Sequence, residues 1–157
     1  MKKLQKGFTL VELLVVIGIL AILTAVVLVA VNPGKALQDA RNTERRAEVN
    51  AMLSAITAYM ADPVNSGQPP STMAAGGCDA IPKTYEQIGD ATAGTWIDLA
   101  TALTPVYIAE LPEDPADTTP GVGDTGYEVC VGASNRITVT APDSLTDGLT
   151  TMIQVTR

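Results

Sequence analysis

Histidine is absent from this chain, and tryptophan and phenylalanine occur once each. Without an imidazole, histidine-based acid–base catalysis and histidine metal ligation are excluded. Basic residues are scarce where a nucleic-acid surface would need them. From residue 49 to 157 only Lys83, Arg136 and Arg157 stand against thirteen acidic side chains. Phosphate binding rests on clustered Lys and Arg, so no direct nucleic-acid binding is expected. Cysteine is limited to Cys78 and Cys130. Charged residues are missing altogether from Leu13 to Val31.

That last absence is the largest feature present. Nineteen consecutive residues, of which only Gly18 and Thr24 are not plainly apolar, follow a leader carrying Lys2, Lys3 and Lys6. A helix from Phe8 to Val31 would be roughly 36 Å long, enough for a hydrocarbon core of about 30 Å. The lysines mark a cytoplasmic flank. An ordinary secretory signal has a shorter apolar stretch, of about 7–15 residues, and ends at small residues. A weak site of that kind lies around Leu28-Val29-Ala30. Ordinary signal cleavage and a simple uncleaved anchor are therefore competing readings. Neither accounts for Glu12 at the edge of the run, where a charge costs roughly 2.5–3.5 kcal/mol at a helix centre.

The string Lys6-Gly7-Phe8-Thr9-Leu10-Val11-Glu12 resembles the processing site of type IV prepilins and pseudopilins. The resemblance implies a cut by prepilin peptidase between Gly7 and Phe8 and N-methylation of Phe8. It also implies that Glu12 of one subunit pairs with the Phe8 terminus of a neighbour. An unpaired charge among apolar helices is strongly penalised. On this reading Glu12 is unsatisfied in a lone subunit and paired in a bundle, and Gly18 permits close helix approach during assembly. Further partners implied are a pilus assembly ATPase and a platform membrane protein. The implied location is the cytoplasmic membrane first, then an extracellular or cell-surface filament.

The rest of the chain is organised around one helix and a small sheet. Asn32-Pro33-Gly34 predicts a kink or a short unwound stretch. Helix then resumes to about Ala61, with Val49, Met52, Leu53, Ile56, Tyr59 and Met60 on one apolar face. Before that face, Arg41–Glu44 and Arg45–Glu48 are spaced to pair along the helix. The alternative is that Arg41, Arg45 and Arg46 meet acidic surface on neighbouring subunits. Asp62-Pro63 ends the helix, and residues 62–80 read as an irregular loop. Trp96 to Leu103 predicts a short helix, and Pro105 to Ile108 a short extended piece. Alternation at Tyr127-Val129-Val131, Ile137-Val139 and Ile153-Val155 predicts antiparallel strands, with a hairpin loop at Gly132 to Asn135. Cys130 falls on the opposite side from the helix. In an oxidising compartment it favours a disulfide with Cys78 over two separate buried thiols.

The expected fold is α+β: a long N-terminal helix, transmembrane then amphipathic, packed on a small antiparallel sheet, pilin-like. The expected divisions are leader 1–7, transmembrane and assembly helix 8–31, and amphipathic helix plus head 32–157. The stretch Leu111-Pro112-Glu113-Asp114-Pro115, followed by Gly126-Tyr127, resembles the loop before the sheet in major pseudopilins of type II secretion, some of which bind calcium. Here no Trp-Gly follows the Asp-Pro, and the spacer is longer. The implied ligands are Glu113, Asp114, Asp117 and Asp124. No other cofactor is expected. The function implied is a structural, non-enzymatic subunit of a type IV pilus-like filament. The alternatives are a major pseudopilin of a secretion or DNA-uptake pseudopilus, and a membrane-anchored ligand-binding or enzymatic domain.

Overall fold

The computed structural model describes residues 7–73, 76–80, 82–89, 96–116 and 123–157. The chain divides into two compact units that meet between Leu37 and Gln38.

The first unit is dominated by α1, Leu10–Val31. It is apolar all round and none of its residues is buried. With a mean hydropathy of 3.2 it is long and apolar enough to cross a membrane. An apolar surface of this size is not left in water by a stable protein, so it demands lipid or other helices. The helix stops at Asn32, which takes the left-handed conformation at φ 43°. Asn tolerates that region better than branched residues do. Pro33 then opens α2, Pro33–Ala61, at a first-turn position where its missing N–H costs nothing. The interruption is therefore a single residue.

The second unit packs the later part of α2 on a five-stranded sheet. The strands are β1 Glu86–Gly89, β2 Ile97–Asp98, β3 Asp124–Val131, β4 Ile137–Ala141 and β5 Ile153–Thr156, in spatial order β2-β1-β3-β4-β5. Three of the strand pairings, β1–β3, β3–β4 and β4–β5, are antiparallel, but β2 pairs in parallel with β1. The sheet is thus mixed, not wholly antiparallel as the alternation suggested. The parallel register, Ile88 beside Ile97 and Gly89 beside Asp98, is reported by no periodicity in the sequence.

Val49, Met52, Leu53 and Ile56 of α2 are fully buried, together with Tyr127, Val129, Val131, Ile137 and Val139. Each such aliphatic side chain contributes roughly 1.5–3 kcal/mol by leaving water. The hairpin closes where Gly132 N–H donates to Arg136 C=O at 2.7 Å. The helix expected over Trp96 to Leu103 is reduced to α3, Ala100–Leu103, because Ile97 and Asp98 are drawn into β2. Residues 104–107 form a turn in place of the expected extended piece, with Tyr107 N–H donating to Leu103 C=O at 2.8 Å.

Candidate functional site

The start of α1 carries the first cluster. Thr9 is its N-cap: the Glu12 N–H donates to Thr9 Oγ1 at 3.2 Å. In return Glu12 Oε2 accepts from the Thr9 N–H at 3.2 Å and the Thr9 hydroxyl at 2.9 Å. This reciprocal capping box satisfies two donors of the first turn. The carboxylate thus accepts hydrogen bonds from Thr9 but has no counter-charge among the described residues. Both bonds fall on Oε2, and among the described residues no donor meets the other carboxylate oxygen. Gly7 and Phe8 precede the helix, and Phe8 is exposed. Gly18 has nothing near the position a Cβ would take, so its face of α1 is smooth and open.

The second cluster lies between α2 and two loops of the head. Arg45 is fully buried and makes two parallel bonds to Asp114, Nε to Oδ2 at 2.7 Å and Nη2 to Oδ1 at 2.8 Å. Its remaining Nη1 donates to Asp147 Oδ2 at 2.7 Å and to Asn42 Oδ1 at 3.0 Å. Arg41 Nε also donates to Asp147 Oδ2, at 2.6 Å, and Arg41 Nη2 pairs with the other Asp147 oxygen. The Asn42 amide donates to the Asp147 carbonyl at 3.1 Å. Two guanidinium groups thus face two carboxylates, with the charges balanced. The bonds from Arg41, then those from Arg45, hold the Asp147 carboxyl down at about 2. Hydrogen bonding to Asp114 raises Arg45 further above its already high value.

This cluster overturns the assembly role expected of Arg45 and takes up Arg41 as well. Both guanidinium groups bond to Asp147, and neither pairs along the helix with Glu44 or Glu48; Arg41 stays partly exposed. Arg46 alone of the three stays exposed without an ion-pair partner among the described residues. The sequence held one signal of this. Arg45 lies four residues before Val49, on the buried stripe, where an unpaired charge is not tolerated. Its partners Asp114 and Asp147 lie 69 and 102 residues away, and no local pattern names them.

Asp114, one of the four residues implied as calcium ligands, is instead seen bound to Arg45. Both of its oxygens are taken by Arg45, and Oδ1 also accepts from the Ala116 N–H at 2.8 Å. Asp124 Oδ1 accepts from the Gly126 N–H at 2.9 Å. Glu113 is exposed, and Asp117 lies outside the described residues. Among the described residues no three acidic side chains converge to hold a metal ion. Close packing of this loop on β3 requires glycine at Gly126. Its φ is +73°, and a Cβ there would sit 2.8 Å from Asp114 Cβ.

Beside the cluster, the buried Tyr127 hydroxyl donates to Glu48 Oε2. Burial raises the pKa of both groups. On the opposite face of β3, Cys130 forms a disulfide with Cys78 in the covering loop.

Residues 2–28 match the family model of the prokaryotic N-terminal methylation motif. No curated protein and no solved structure matches the chain significantly. The matched segment runs from the lysine leader through Gly7-Phe8 and Glu12 into α1. The chain therefore carries the prepilin-type leader of type IV pilins and pseudopilins ahead of a pilin-like α+β architecture.

Proposed function

We propose that this chain is the structural subunit of a type IV pilus-like filament. It enters the cytoplasmic membrane through α1, with Lys2, Lys3 and Lys6 on the cytoplasmic side. Prepilin peptidase cuts between Gly7 and Phe8 and methylates Phe8. The subunits then polymerise with α1 as the fibre core, driven by an assembly ATPase and a platform membrane protein, and the filament is displayed at the surface.

One observation carries the reading: the methylation motif is continuous with a helix that buries nothing within its own chain. The cut at Gly7 leaves that whole helix on the product, so the apolar surface is retained for use. In a bundle, the cationic Phe8 terminus and Glu12 are mutual counter-charges. Glu12 keeps Thr9 as a partner while it waits in the membrane.

Mass spectrometry of the processed protein tests this. A chain beginning at N-methylated Phe8 is expected, together with filaments that disappear in Glu12→Val and in Gly7→Val. A chain beginning at Val31, or filaments unaffected by both substitutions, overturns the reading.

A further inference from the structure

Two grooves flank α2 in the head. Arg46 and Glu48 are about 200° apart around the helix axis, so they project into different grooves. One groove, of about 350 Å³, lies between α2 and β5 and is lined by Arg46, Asn50, Met152 and Gln154, among others. The other, of about 570 Å³, lies between α2 and the loop before β3 and is lined by Glu48, Glu110, Leu111 and Glu113, among others. The exposed ridge between them is built of Ala47, Ala51 and Ser54. No long side chain there would hold a neighbouring surface away.

The two grooves carry opposite charge. With Arg41 and Arg45 bound to Asp147 and Asp114, Arg46 is the cation this stretch of α2 presents to solvent. Across the helix, Glu110 and Glu113 are exposed, and Glu48 is half-buried under the Tyr127 hydroxyl. No basic side chain lines that groove among the described residues. The Arg46 groove is bordered by β5, one of the two edge strands of the sheet. The acidic groove is bordered by residues 110–114, which are in neither helix nor strand. An open sheet edge has unpaired backbone groups that a loop outside helix and strand can meet.

We infer that heads of two copies of this chain dock through these grooves: Arg46 and the β5 edge of one copy receive the Glu110–Glu113 loop of the next. The inference rests on the filament reading above. A contact joining two different faces is heterologous and repeats along an open helical series instead of closing into a dimer. The charge on each groove also disfavours the wrong register, since like grooves repel.

The test uses the full chain in cells that assemble it. Arg46→Glu is expected to lower the yield of sheared filaments about tenfold. Phe8 processing and the unfolding midpoint should be unchanged, because Arg46 is exposed. Adding Glu110→Arg and Glu113→Arg to that variant is expected to recover filaments. A photo-cross-linking residue at position 46 is expected to label residues 108–114 of a second copy. Normal filament yield from Arg46→Glu, or a cross-link landing elsewhere on the copy or on a different protein, overturns the groove pairing and leaves the filament reading standing. If the unsubstituted chain is processed but forms no filaments, both fall.

Discussion

Arg45 and Asp114 face each other through two parallel hydrogen bonds at 2.7 and 2.8 Å, both side chains wholly out of solvent. This pair ties the loop before the sheet to α2, and Asp147 ties the connection between β4 and β5 to the same arginine. One side chain on α2 thus holds two other segments of the head.

Removing one partner leaves a buried charge uncompensated. Arg45→Met is therefore expected to destabilise the head by about 3–5 kcal/mol. Urea unfolding of the full chain in detergent, followed by tryptophan fluorescence, measures it. Asp114→Asn in the same background is expected to recover part of the loss, because it removes the stranded carboxylate. A loss under about 1 kcal/mol would mean that the pair adds nothing beyond a surface ion pair.

Asp147 and Glu48 give pH dependences of opposite sign. The Asp147 carboxyl is depressed from 3.8 to about 2, so its contribution is present above pH 3.8 and is lost as pH falls toward 2. Glu48 is raised above 4.5 by burial, so it favours folding below 4.5 and that contribution is lost as pH rises through its folded value. Asp147→Asn should flatten the acid limb of a stability–pH curve between pH 3.8 and 2. Glu48→Gln should flatten the slope above pH 4.5 and leave the acid limb in place.

The Cys78–Cys130 bridge closes a loop across a sequence separation of 52. Replacing both cysteines by serine is expected to cost roughly 2–4 kcal/mol. Cys130 lies on the face of β3 turned from α2, so Val129 and Val131 should keep their packing. Amide exchange on the double variant would show this as retained protection of α2 beside faster exchange in residues 76–80.

Gly126→Ala sets a Cβ against Asp114 and forces alanine into positive φ. The expected loss is about 1–3 kcal/mol. Gly67→Ala supplies the comparison: its φ is +77° with nothing within 4 Å, so it reports backbone strain alone. Equal losses at the two positions would sink the claim that contact with Asp114 dictates glycine at 126.

Local pattern by itself determined much of this protein. The leader, the Gly7-Phe8 junction, Glu12 and the uncharged run define α1, because membrane-length hydrophobicity and a short motif are read from neighbouring residues. The apolar stripe at Val49, Met52, Leu53 and Ile56 and the alternation at Tyr127, Val129 and Val131 named the two faces that pack, since period alone sets which side chains share a face. The tertiary structure decided what the polar residues do. Arg45 looked available to a neighbour and is buried; Asp114 looked like a calcium ligand and neutralises Arg45; β2 joined in parallel where alternation suggested none. For Arg45 and Asp114 the deciding partner lies far along the chain. Which polar groups meet is a property of the assembled fold, and hydrogen-bond pairing between distant residues leaves no period in the sequence.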